Sequence, residues 1–223
     1  MLAMESALLL LLRRKVRDPL PSGIVFAHQT LIAKLSRVYL AGRLAARVAG
    51  VHRLVAETET FDPDLAEQLN VRERTEFGVA TLGLIDLRRS TAAAQGYAKR
   101  WLSNLRDAQE AGVKDPFRSA RLGSDASLQT GAITENSHAF NSGRQQATRE
   151  IAPLLRRLEL DMARVWNAVL DKRTCTHCTR MDGNWVLAGE QFPGGEPGAV
   201  HPRCRCHDEL VPRAWVDSLD RAA

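Results

Sequence analysis

Asp171-Lys-Arg-Thr-Cys-Thr-His-Cys178 and, further along, His201-Pro-Arg-Cys-Arg-Cys206 hold all four cysteines of this 223-residue chain. The window is 32 residues long, with 25 residues between Cys178 and Cys204. Two short-range thiol pairs joined by a loop are what a soft, tetrahedral metal ion needs, and structural zinc is the first expectation. Cys-x-x-Cys is a common knuckle spacing, whereas two ligands on one Cys-x-Cys are less usual. His201 therefore competes for a place, and the candidates are Cys175, Cys178, Cys204, Cys206 and His201 for four positions. Disulfides, within each pair or across the loop, are another reading of the same cysteines, and free thiols a third. Bridges across two or three residues close little loop entropy and are strained, so they are the weaker fit.

Upstream of the first pair, Ala163-Arg-Val-Trp-Asn-Ala-Val-Leu170 reads as a strand with Val165, Asn167 and Val169 on one face. Met181-Asp-Gly183 carries a tight-turn signature, Asn184-Trp-Val-Leu187 a returning strand, and His207 to Val211 a third. Between them, residues 189–198 are a Gly/Pro loop with no element of their own, which a metal at its far end would hold in place. His177, between the knuckle cysteines, is expected to point outward.

The rest of the chain reads as helical. Apolar residues recur with helical spacing from Ile24 to about residue 56, after a break at Pro19-Leu-Pro21-Ser-Gly23, and again from Glu76 to about Ala111, interrupted by Gly83 and Gly96. Two long antiparallel arms follow, with Phe61-Asp-Pro63 as the turn between them. Phe117 to Leu128 reads as a short helix with a Gly123-Ser-Asp turn. Thr134 to Glu150 is helix-compatible but rich in poor helix formers (Asn136, Ser137, Asn141, Ser142, Gly143), which points either to interhelical contacts or to a water-facing surface. The fold class is mainly α with a small C-terminal β-rich zinc module: a helical body over 1–160, the metal-binding module over 161–215 and a tail over 216–223.

Charge separates the two parts. The chain carries a formal net charge of +5 with pI near 9.3. Residues 171–223 hold seven Lys/Arg against eight Asp/Glu, so the basic excess sits in the helical part. A solvated helix face accounts for it, with nucleic-acid proximity as the alternative. Leu2 to Leu12 is apolar and Arg13-Arg14-Lys15 follows it. That order is the reverse of a secretory signal, and the run is about half of the roughly 20 residues a membrane span needs. A short helix buried on the body or docked on a partner is expected, and membrane contact is not.

The C-terminal string resembles the phage head morphogenesis proteins, the Mu F-like minor head family. Asp171 to Cys178, Met181-Asp-Gly183 and His201 to Cys206 carry the resemblance, together with Thr134-Glu135-Asn136 and Asn141-Ser-Gly-Arg144. It covers roughly residues 130 to 211, and the first 120 residues match only in being helical. Pro197-Gly-Ala-Val200 stands where the family usually has Pro-Pro ahead of His-Pro. The resemblance implies a minor component of tailed-phage heads at the portal vertex, made in the host cytoplasm and carried in the virion. Its implied partners are the portal and other head proteins, with packaged DNA nearby, self-association open, and no small-molecule substrate. The chain stops about a dozen residues after the last strand, which leaves no room for an appended enzyme.

Two rival classes use the same residues. A zinc deaminase needs a glutamate beside a zinc ligand and a Pro-Cys-x-x-Cys, and the order here is reversed. A His-Asn-His nuclease needs a further general-base histidine, and His28, His52, His138 and His207 are scattered. Four or five soft donors also argue for a closed, structural site. A DNA-binding zinc module would use Arg173, Arg180, Arg203 and Arg205 as phosphate contacts. The same arginines read equally well as braces against Asp171 and Asp182.

Overall fold

In a computed structural model, residues 2–17, 23–61, 63–69 and 84–220 are described. The Pro19–Gly23 break before Gly23, Asp62 of the expected turn, and the expected helical stretch from Glu76 through Gly83 lie outside them. The helices are α1 (Leu2–Arg17), α2 (Ile24–Phe61), α3 (Pro63–Leu69), α4 (Leu84–Glu110), α5 (Pro116–Gly123) and α6 (Asp125–Arg157). Then follow β1 (Met162–Asn167), α7 (Thr176–Met181), β2 (Trp185–Leu187), β3 (His207–Pro212) and α8 (Arg213–Asp220). The fold is mainly helical with a small C-terminal sheet.

The chain divides into two compact units, each discontinuous in sequence: Met1–Leu44 with Leu82–Asn136, and Ala45–Thr81 with Ser137–Ala223. In the first, Leu8, Leu12 and Val16 of α1, four residues apart, lie on one stripe and are buried. They pack in one core with Ala27, Leu31, Leu35 and Tyr39 of α2, Tyr97, Trp101 and Leu105 of α4, and Leu128 and Ala132 of α6. The apolar N-terminal run is thus a docked amphipathic helix. Arg43 is fully buried beside that core, held by Asp86 (3.0 and 2.6 Å) and by Glu135 at 2.5 Å.

Asp115 caps α5, its carboxylate accepting the Arg118 N–H at 3.0 Å with Pro116 in the first turn. The expected Gly123-Ser-Asp turn does not lie inside one helix from Phe117 to Leu128: α5 ends at Gly123 and Asp125 at once opens α6. That helix runs 33 residues and absorbs the whole polar segment Thr134 to Glu150. Its end is a Schellman closure: Leu160 N–H bonds Leu155 C=O at 2.9 Å while Glu159 sits at φ 56°. A glutamate in the position glycine usually holds is why the sequence carries no stop signal there.

In the second unit, Asn136's neighbours Ser137, Asn141, Gly143 and Arg144 are buried, so the polar run serves contacts and not a water-facing surface. The reason for Gly143 is steric. A Cβ there would lie 2.4 Å from the Arg47 carbonyl oxygen, and one on Gly50 2.1 Å from that of Phe140. Here α2 and α6 touch backbone to backbone.

The sheet is antiparallel, in the order β2-β1-β3, with β1 central. β1 pairs Ala163 with Leu187 and Val165 with Trp185 on one side, and Arg164 with Leu210 and Trp166 with Asp208 on the other. All three expected strands exist, but β1 ends at Asn167. Its Met162, Arg164 and Trp166 face is buried, while Val165 and Asn167 are only half-buried. The Asp182-Gly183 turn is also present, with Asn184 N–H on Met181 C=O at 2.9 Å and Gly183 at φ 77°. It leads out of α7 as a type II turn and does not join two strands directly, because the cysteine knuckle is inserted between β1 and β2.

Gly143→Ala is expected to lose about 1–3 kcal/mol by overpacking against α2. Gly96→Ala, in α4 with open space where its Cβ would stand, is expected to gain up to about 1 kcal/mol from helix propensity. Urea unfolding of both variants reads the opposite signs.

Candidate metal centre

Cys175 ends the loop from β1 as the N-cap of α7, its sulfur accepting the Cys178 N–H at 3.3 Å. Cys178 follows on α7 and points into a core of Trp166, Met181 and Phe192. His201, Cys204 and Cys206 arrive from the far end of the Gly/Pro loop, just before β3. Cys175, Cys178 and His201 form one group of mutually close donor atoms, and Cys178, Cys204 and Cys206 another, each within 4.8 Å. His201 Nε2 is 3.1 Å from Cys175 Sγ and 3.2 Å from Cys178 Sγ, and the Cys178 and Cys204 sulfurs are 3.8 Å apart. All five expected donors therefore meet at one place, with Cys178 common to both groups, and the four cysteines are free thiols. Such a cluster can hold a metal ion.

The protonation pattern shows how crowded the thiols are. Hydrogen bonding from Cys206, opposed by burial but helped by the Cys206 and Gly198 amides, brings Cys204 down to about 5. Burial pushes Cys178 up to about 12, and the Cys204 thiolate beside it, with burial, raises Cys206 as well. Cys178 and Cys206 are thereby held as thiols, while Cys175, like Cys204, is lowered from its usual value. A bound cation would replace those protons, since only thiolates ligate.

The arginines divide. Arg205 spans both oxygens of Asp171 at 2.7 Å, and that contact, with the Arg173 amide, holds the Asp171 carboxyl below its usual range. Asp182 braces a different group, accepting the Ala168 N–H at 2.7 Å. Arg173 and Arg180 have exposed side chains, and Arg203 is exposed at φ 63°. His177 is exposed, edge-on to Trp166 at 6.1 Å between ring centres, and stands apart from the donors as expected.

Two features beneath the donors are not signalled by any motif of metal spacing. Asn141 of α6 donates to the Cys206 carbonyl at 2.9 Å, tying the last ligand segment to a helix 65 residues earlier. Below it runs a chain of alternating charges. Arg53 bonds Glu57 at 2.8 Å, and Arg144 grips both oxygens of Glu57 at 3.0 and 2.7 Å. Arg144 Nε then faces Asp208 at 3.5 Å, and Arg164 bonds Asp208 at 2.8 Å and Glu196 at 2.7 Å. Arg144 and Asp208 have fully buried side chains. Three carboxylates alternate with three guanidiniums, so the burial of each charge is compensated. Arg164 also donates to the Glu190 carbonyl at 2.8 Å and stacks over Phe192 at 5.1 Å, gripping the loop from both ends. The signal available in sequence was an arginine within the expected strand, Arg164, and Asp208 two residues past Cys206.

The sequence profile described as Phage Mu protein F like protein matches residues 88–208, more than half of the chain. It begins in α4, so the likeness reaches further back than the stretch from residue 130 that carried the resemblance. No curated protein and no solved structure matches the chain.

Asp208→Ala is expected to destabilise the protein by about 3–5 kcal/mol, because two buried guanidiniums lose their shared carboxylate. Thermal or urea unfolding of the variant against wild type measures it, and a loss below about 1 kcal/mol would contradict the ion chain's role.

Proposed function

The chain belongs to the Phage Mu protein F like family, and on that premise we propose that it is a minor head protein of a tailed phage. In this reading it acts near the portal vertex in head morphogenesis and in DNA packaging or ejection, and it has no enzymatic activity. The observation that carries the reading is the coincidence of family match and geometry. The residues that distinguish the family string, Asn141, Arg144, His201, Cys204 and Cys206, are those that clamp the C-terminal segment to α6 and gather the donors.

The metal in this reading is zinc, and its role is structural. A zinc–sulfur bond of about 2.3 Å in tetrahedral geometry puts neighbouring sulfurs roughly 3.8 Å apart, and the Cys178–Cys204 separation of 3.8 Å fits it. Thiolates with one imidazole are the donor set zinc prefers. Asp208 and Glu196 are engaged by Arg164, Asp171 by Arg205 and Asp182 by the Ala168 amide, which supports a scaffold in preference to a general-base site.

The proposed partners are the portal and other head proteins. The basic excess of the helical part is compatible with DNA nearby, and Arg173 and Arg180 have exposed side chains in the same module. Arg205 is engaged with Asp171. Among the described residues, no helix is long and apolar enough to cross a membrane. The proposed location is the virion, with assembly in the host cytoplasm.

The test is incorporation. Cys175→Ser is expected to abolish assembly into phage heads while the far-ultraviolet circular dichroism of the purified protein keeps most of its helical signal. Heads containing the variant at the wild-type level would overturn the reading.

A further inference from the structure

A closed tetrahedral centre takes four ligands, and five donors converge here. Resting on the metal-centre reading above, we propose that the four are Cys175, Cys178, His201 and Cys204, and that Cys206 stays outside the coordination shell as a buried thiol.

The imidazole argument comes first. His201 Nδ1 lies 2.7 Å from the Pro202 carbonyl oxygen. A carbonyl only accepts, so Nδ1 carries a proton, and in the neutral ring Nε2 bears the bare lone pair. That atom is the one set between the Cys175 and Cys178 sulfurs, at 3.1 and 3.2 Å. An imidazole that donates its other N–H to a backbone carbonyl is the usual arrangement of a ligating histidine.

Distances then order the thiols. The Cys178 amide donates to the Cys175 sulfur at 3.3 Å, and the Cys204 sulfur stands 3.8 Å from that of Cys178, the spacing two ligands of one tetrahedral zinc keep. The Cys206 sulfur shares a group with the Cys178 and Cys204 sulfurs.

The two ligand turns also match in form. Cys175-Thr-His-Cys178 and His201-Pro-Arg-Cys204 share one spacing, and in each the fourth residue's amide returns to the first, to the Cys175 sulfur at 3.3 Å and to the His201 carbonyl at 3.2 Å. The second turn places Arg203 at φ 63°, a left-handed conformation unfavourable for a side chain with a Cβ. Strain of this kind is kept where a ligand clamp needs it. Cys206, by contrast, is positioned by its carbonyl on Asn141 and by the strand that starts at His207, paired with Asn167.

X-ray absorption at the zinc edge of the full-length protein reads the donor set directly. The expected spectrum has three sulfur neighbours and one nitrogen, and Cys206→Ala is expected to keep its zinc with that spectrum unchanged. His201→Ala is expected to lose the nitrogen shell or the metal. A four-sulfur spectrum in the wild type overturns this assignment and leaves the metal centre standing, as does zinc loss from a Cys206→Ala variant that retains its circular dichroism. A wild-type protein without metal overturns the metal-centre reading itself, and this assignment with it.

Discussion

Asp208 accepts from Arg164 of the central strand on one side and faces Arg144 of α6 on the other, out of contact with water. A lone carboxylate in that position would be costly to bury, and so would either guanidinium. Together they oblige β1, β3 and α6 to meet in one arrangement, because moving any element strands a charge. Glu57 extends the constraint to α2 and takes the Leu210 amide at 3.3 Å, which covers the outer side of edge strand β3. Glu196 carries it into the Gly/Pro loop. The loop that brings His201 to the cysteines is thus held before any ligand is considered.

The donor cluster builds on that frame. Asn141 ties the Cys206 backbone to α6 two residues before the Asp208 side chain meets Arg144, so the ligand segment is anchored through main chain and side chain in succession. Trp166 and Phe192, edge to face at 5.4 Å, fill the space beneath. A small sheet of three short strands has little apolar core of its own. Metal ligation and a neutral ion chain are two physically different ways of supplying what that core lacks.

What could be read in sequence follows from range. The long helices, the three strands, the Asp-Gly turn and the gathering of Cys175, Cys178, His201, Cys204 and Cys206 rest on local periodicity or short spacings and are present among the described residues, but Phe117 to Leu128 is divided between two helices and β1 ends short of Leu170. The Asp171–Arg205 brace was legible as one of two charge pairings. Contacts of long sequence separation were not legible: Glu57 meets Arg144 across 87 residues, and nothing local marks either as a buried partner. The strand's inward face was missed for the same reason, since an arginine at position 164 reads as solvent-facing until Asp208 and Glu196 are placed beside it. The Asn-Ser-Gly-Arg string was recognisable as a family mark, but its physical reason, a backbone contact at Gly143 flanked by two buried polar anchors, appears only in three dimensions.

Elemental analysis of the untagged full-length protein, paired with a thiol count before and after denaturing chelation, tests the central claim that the Cys/His cluster is a metal centre. About one zinc per chain, with four thiols reactive only after chelation, is the predicted result. A metal-free protein in which no thiol reacts even after denaturation would mean disulfides in place of a metal and would contradict it.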